Sequence, residues 1–170
     1  MSEEILKALM QLFAIIAKQD DGVEANEITF VKKFLQSQLN DEVVQEYLLA
    51  FFNFAEIEDV DAYLKELEGN DDEKKRKLTS VKDSVRILGI CKKINKKLTQ
   101  KQKVVVLVRL FELVNADRKF TEQRMAIINT VAEVFNISAE EFKSTETFVV
   151  NNDPKDLDDS SILIINHKAD

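Results

Sequence analysis

The chain has 170 residues, of which 45% are hydrophobic, enough for one well-filled core or two small ones. Three Gly and one Pro argue against a loop-rich or all-β fold, while one Cys and one His exclude a disulfide framework and a zinc site. A net charge of −7, with an acidic start and no apolar run near the roughly 20 residues of a membrane span, gives the expectation of a soluble cytoplasmic protein without a transmembrane segment.

The first predicted helix runs from about Glu3 to Lys18. Its apolar stripe is Ile5, Leu9, Leu12, Phe13, Ile16 and Ala17, at three- and four-residue spacings. An acidic turn follows at Asp20-Asp21-Gly22. The second helix starts near Ala25 and carries Ile28, Val31, Phe34, Leu35 and Leu39. Asp41 is placed to cap a third, which turns Val44, Tyr47, Leu48, Phe51 and Phe52 to the core. Residues 59–68 read as a short fourth helix.

Residues 69–77 are an exposed connection with opposed charge blocks. A new helix is expected near Thr79, with Ser80 to Asp83 as an approximate cap. Its core side is read as Val81, Val85, Leu88, Cys91 and Ile94, and Gly89 as a point of close helix packing. Thr99-Gln100-Lys101-Gln102 forms a capping box, Thr at the cap and Gln three later. The helix it opens carries Val104, Leu107, Val108, Phe111 and Val114 into a second acidic turn at Asp117. From Thr121 comes a helix with Ile127, Ile128, Val131 and Phe135. Ser138-Ala139-Glu140-Glu141 then caps a last helix to about Phe148.

The elements repeat. Asp117 lies 117 − 20 = 97 residues after Asp20, and at that offset Phe13 falls on Leu110, Ile16 on Leu113, Ala17 on Val114 and Val23 on Phe120. The expected fold is therefore an all-α bundle of about seven to eight helices with an internal pseudo-two-fold duplication. The helical domain spans 1–150. Repeat one covers about 3–53, intervening helices about 54–98 and repeat two about 99–148. Residues 151–170 form a polar linker and the strand-like run Ile162-Leu163-Ile164-Ile165. A lone strand has no partner in a helical protein, so the chain reads as the front of a longer one whose next domain begins here. The rival reading docks that strand on the helices or pairs it in a dimer.

Candidate chemistry starts at the turns. Asp20, Asp21, Glu24 and Glu27 put four carboxylates within eight residues beside Gly22, the kind of oxygen-donor set that calcium or magnesium binds. An EF-hand is excluded by register, because with Asp20 first the Gly position falls on Ala25 and the closing Glu on Val31. The competing reading is plain capping, with carboxylates stabilised by a helix N-terminus. In the second turn Arg118 takes the place of Asp21, and Arg124 that of Glu27. If the halves pack face to face, Arg124 is placed to pair with a carboxylate of the first turn, a salt bridge where a symmetric metal site would stand.

Charge is unevenly distributed. Asp41 to Glu73 holds twelve acidic and one basic residue, a net of −11; Lys74 to Lys119 holds fifteen basic and three acidic, a net of +12. Lys92, Lys93, Lys96, Lys97, Lys101 and Lys103 gather at one helix–helix corner that suits phosphates, an anionic lipid surface (a peripheral membrane contact) or an acidic protein partner. No aromatics interleave them, so no specific nucleic-acid partner is expected. Complementary solvated faces are the blander reading. No catalytic residue is assigned: His167 lies at the end of the chain, Cys91 sits among core positions, and the three glycines are too scattered for a phosphate loop.

The repeated helix–acidic turn–helix pattern resembles the TerB-like family of helical domains named for tellurite resistance. Its signature is an apolar helix, an Asp-Gly turn, an apolar residue two after the Gly, and a Glu opening the next helix. Asp20, Asp21 (in the Gly place), Val23 and Glu27 follow it with one departure. Asp117 and Phe120 follow it in the second copy, from which Arg118 and Arg124 depart. The resemblance covers about residues 5–148, and implies metal binding by acidic turn residues, carried here onto Asp20, Asp21, Glu27 and Asp117. The stretches Lys77 to Leu88 and Leu98 to Leu107 look like the front of large bacterial ATP-binding-cassette proteins that carry such a domain. That resemblance implies a non-catalytic regulatory or interaction module, whose partner is the downstream domain or another protein. The alternative it implies is a divalent-cation sensor with a weakly bound calcium or magnesium ion at the turns.

Overall fold

The computed structural model describes residues 3–19, 22–68, 81–116 and 118–150. Eight helices form among the described residues. They are α1 (Glu3–Ala17), α2 (Ala25–Gln38), α3 (Asp41–Phe54), α4 (Val60–Glu68), α5 (Val81–Asn95), α6 (Gln100–Asn115), α7 (Glu122–Val134) and α8 (Ala139–Val150). Thr79, Ser80 and the strand-like run at Ile162 lie outside the described residues.

Two helices form the centre. From Leu12 through Ala17 every residue of α1 is buried, and so is every residue of α6 from Val105 through Asn115. The sequence periodicity predicts one apolar face for each. The structure instead buries these stretches on all sides, as expected for a helix surrounded by others. α1 and α6 pack on each other; α3 covers α1, and α8 covers α6. The contacts also cross, α1 with α7 and α2 with α6. The duplication is visible in the helix bounds. Adding 97 to the starts of α1, α2 and α3 gives 100, 122 and 138, against starts of 100, 122 and 139 for α6, α7 and α8. Aromatic contacts also occur in both halves, edge-to-face between Phe13 and Phe34 at 5.6 Å and between Phe111 and Phe142 at 5.4 Å.

Helix ends follow the local chemistry. At α6 the Thr99 hydroxyl accepts the Gln102 N–H at 3.2 Å, and the Gln102 side chain accepts the Thr99 N–H at 2.9 Å. Thr121 caps α7 and Ser138 caps α8 by accepting the N–H three residues on. The cap of α3 is Asn40, correcting Asp41, which is the first helical residue. α3 and α7 both stop at a left-handed residue, Glu56 (φ 63°) and Asn136 (φ 56°). There the next N–H closes back on the helix, Ile57 to Phe52 and Ile137 to Ala132, in the Schellman pattern.

α5 packs against α1 and α7 with only the later part of the predicted face, Cys91 and Ile94. Ile87, Cys91 and Ile94 are buried, with Asp83 on the same line, whereas Val85 is 62% and Leu88 39% exposed. The charge at Asp83 disguised the core line, because position 83 precedes 87 and 91 at four-residue steps. Gly89 marks no close helix approach either: a Cβ built there meets nothing within 4 Å.

Candidate functional site at the junction of the two turns

The central contact joins equivalent positions of the two halves. Glu27 lies in the first turn of α2, and Arg124 holds the same place in α7, since 124 − 97 = 27. Their side chains are 0% and 1% exposed. One guanidinium nitrogen, Arg124 Nη2, stands 3.1 Å from Glu27 Oε2 and 3.2 Å from Oε1, and donates to the Ala17 carbonyl at 3.0 Å. Glu27 Oε1 also accepts the Glu24 N–H at 2.9 Å, which completes the N-terminal cap of α2. One carboxylate thus caps its own helix and neutralises a cation from the other half. The paired arginine expected from the sequence is present, and it is almost completely shielded from water.

A second bridge lies at the edge of the first, with Lys119 Nζ 2.6 Å from Glu24 Oε1. These side chains are 35% and 28% exposed, so screening by water weakens the pair. The first turn is held from above by α4. The Tyr63 hydroxyl donates to the Val23 carbonyl at 2.6 Å, and a Cβ at Gly22 would stand 3.3 Å from the Tyr63 hydroxyl oxygen. Gly22 also has φ 89°, so both space and backbone favour glycine there. On the α1 side, Gln19 folds back to donate to Ile15 O at 2.7 Å. Lys18 reaches out to Asp83 of α5 at 3.0 Å and to Glu56 at 3.6 Å.

Arg118 has its own task. Its Nη1 donates to Asn115 Oδ1 at 2.9 Å and to the Val150 carbonyl at 3.1 Å, and its guanidinium stacks over Phe120. Asn115 donates to Val149 O at 3.3 Å. Both donate to carbonyls in the last turn of α8. Arginine in place of an acidic turn residue therefore anchors the last helix to the second turn.

Of the five candidate metal ligands, the structure places Glu24 against Lys119 and Glu27 against Arg124; Asp20, Asp21 and Asp117 lie outside the described residues. No group of three or more His, Cys, Asp or Glu side chains is arranged to hold a metal ion among the described residues. A cation on Glu27 would have to displace an arginine and a helix cap together. Those two carboxylates suit the interlock and not a coordination shell.

At the basic corner, the six lysines divide. Glu4 of α1 takes a hydrogen bond from Lys97 and lies 4.0 Å from Lys93. The Lys97 bond holds the Glu4 carboxyl below its ordinary range. Lys92, Lys96 and Lys101 are exposed and Lys103 half-buried, and none has a carboxylate within 4 Å among the described residues. Cys91 is buried, and desolvation pushes its thiol up to about 12, so it stays a thiol and a poor nucleophile.

Two buried ionic contacts escaped the sequence reading. One is Lys18 with Asp83. The other is Arg109 with Glu112 at 3.4 Å, where the guanidinium also lies 5.2 Å from the Phe34 ring centroid. The signal available was a charged residue on a core line, Asp83 below Ile87 and the Arg109–Glu112 pair inside an apolar run, each at helical spacing.

No helix of the described residues is long and apolar enough to cross a membrane. Compared with curated proteins and with solved structures, the chain has no significant match. The model of one family does match, described as tellurite resistance protein TerB, over residues 6–147. That span runs from α1 into α8 and takes in both turns and the Glu27–Arg124 contact, and the chain belongs to the TerB family.

Proposed function

We propose that this chain is a non-catalytic regulatory or interaction module at the N-terminus of a larger ATP-binding-cassette protein, whose α5–α6 corner docks an acidic surface. The observation that carries this reading is the outer line of α5. Val85 and Leu88 are exposed at 62% and 39%, Lys92 follows seven residues after Val85, and the exposed Lys96 stands in the turn just past Asn95, the last residue of α5. The spacing puts two apolar side chains and one cation on one stripe of α5, with a second cation in the turn beyond it. Exposed apolar groups next to cations without a carboxylate suit an acidic, partly apolar protein segment. The partner is the downstream domain or another protein.

Two experiments test this. The full reading frame is expected to continue into an ATP-binding domain, and any other downstream region overturns the assignment of the parent. A Glu/Leu-rich helical peptide titrated into the ¹⁵N-labelled chain is expected to shift resonances from Val85 to Lys101 and to lose most of its affinity in Lys92→Glu, Lys96→Glu. Shifts elsewhere, or equal affinity of the variant, overturn the docking surface.

A second reading is a divalent-cation sensor of tellurite-resistance type, supported by membership of the TerB family and by the acidic turn residues Asp20, Asp21 and Asp117, with Glu24 and Glu27 taken up by Lys119 and Arg124. Millimolar calcium or magnesium is then expected to raise the thermal midpoint, because a ligand that binds only the folded state stabilises it. No rise, or an equal rise in Asp20→Asn, Asp21→Asn, eliminates this reading.

A further inference from the structure

A cavity of about 420 Å³ opens between α1, the end of α3 and α5, away from the turns. That volume falls in the range of small-molecule sites, roughly 300–1,000 Å³. Its apolar lining includes Ala8, Phe54, Ile90 and Ile94. The charged lining is unbalanced, with Lys7, Arg86 and Lys93 against one carboxylate, Glu4. Lys7 is bridged to Glu3 at 3.3 Å, and Glu4 is bonded to Lys97. Arg86 is half-buried and has neither a hydrogen-bond acceptor nor a carboxylate partner among the described residues. A guanidinium in that position presents a planar fork of donors suited to a carboxylate or phosphate.

Gly89 supplies an independent observation. It lies inside α5 and lines the same cavity, where glycine is a poorer helix former than alanine. Neither packing nor backbone angle accounts for it: an added Cβ would meet nothing within 4 Å, and its φ is not positive. The protein's own contacts do not require glycine at 89, whereas a ligand lying against the α5 backbone would.

We propose that this cavity binds a single-chain anionic amphiphile, with its carboxylate or phosphate on Arg86 and its chain against Phe54, Ile90 and the bare backbone at Gly89. The acid group balances the excess positive charge of the lining, and the chain covers the apolar wall. The site borders the docking stripe, since Gly89 lies four residues after Val85 and three before Lys92, but its anion rests on Arg86 and not on Lys92 or Lys96, so the proposal does not depend on that stripe.

The test uses sodium decanoate and decyl phosphate below their micellar concentrations, with decyltrimethylammonium and inorganic phosphate as controls, read by ¹⁵N–¹H shifts and affinity. Either acid is expected to shift the Gly89 amide and its neighbours; the tighter of the two tells whether a fatty carboxylate or a phosphate headgroup is the better match. Arg86→Gln is expected to weaken binding about tenfold or more, as loss of a charged hydrogen bond does. Gly89→Leu is expected to abolish binding while the thermal midpoint of the free protein shows the fold intact. Equal affinity for the ammonium amphiphile, equal binding of inorganic phosphate, or an unchanged Arg86→Gln would overturn the proposal. So would a silent Gly89 amide at millimolar ligand.

Discussion

Replacing Arg124 by methionine isolates the contact between the halves. The substitution keeps the volume and removes the charge, leaving Glu27 at 0% exposure without its guanidinium. A buried ion stripped of its partner typically costs about 3–5 kcal/mol, a large part of a stability of about 5–15 kcal/mol. The Ala17 carbonyl loses a donor as well. Glu27→Gln makes the opposite error, because the amide can still accept the Glu24 N–H but leaves the guanidinium without a counter-charge. The double variant removes both charges, and much of the loss is expected to return, with a coupling of about 2–3 kcal/mol. Lys119→Met is the internal control, since the half-exposed Lys119–Glu24 pair is expected to contribute about 0.2–1 kcal/mol. Urea unfolding followed by circular dichroism gives all four values, provided the m-value stays constant. A loss below about 1 kcal/mol for Arg124→Met, or a double variant whose loss equals the sum of the singles, would refute the interlock.

Gly89→Ala is expected to raise stability by about 0.8–1 kcal/mol, the helix-propensity difference, because the added methyl meets nothing; a loss in urea unfolding contradicts that packing. Cys91 is expected to resist iodoacetamide at pH 8 until the chain unfolds. Its thiol is raised in the folded state from an ordinary 9.0 to about 12, so the stability it contributes is full below pH 9.0 and falls as pH rises toward about 12; labelling faster than unfolding contradicts its burial. Glu4 has the opposite sign. Its folded-state value is lowered by Lys97, so its contribution is present above the ordinary carboxylate range and is lost as pH falls through the folded value. Lys97→Ala is expected to raise the Glu4 titration midpoint seen by NMR, and an unmoved midpoint rules out that bond as the cause.

The helices were legible because α1, α6 and their counterparts carry helical spacing and side-chain caps such as Thr99 and Thr121, which act locally. The repeat was legible because its offset applies to every element of both halves. The first half of the α5 face was not, since hydropathy assigns Asp83 to solvent, whereas its burial beside Lys18 is a three-dimensional contact. The same limit hides Arg109 and Glu112. At the turns, sequence showed which positions had become arginine and that Arg124 could meet a first-turn carboxylate. That the carboxylate is Glu27, while Glu24 takes Lys119, depends on how the halves dock. The Arg86 cavity left no sequence signal, because an empty space is a property of packing.

The Glu27–Arg124 contact also decides which copies can associate. Because the two residues occupy one position of a repeated unit, pairing a first half with another first half would bury two carboxylates against each other. Pairing two second halves would bury two guanidinium groups. Only unlike halves match, within one chain or exchanged between two chains by a swap. A single opposed pair therefore makes an otherwise self-similar surface discriminate against itself, and neither half can be cut away without taking the counter-charge from the other.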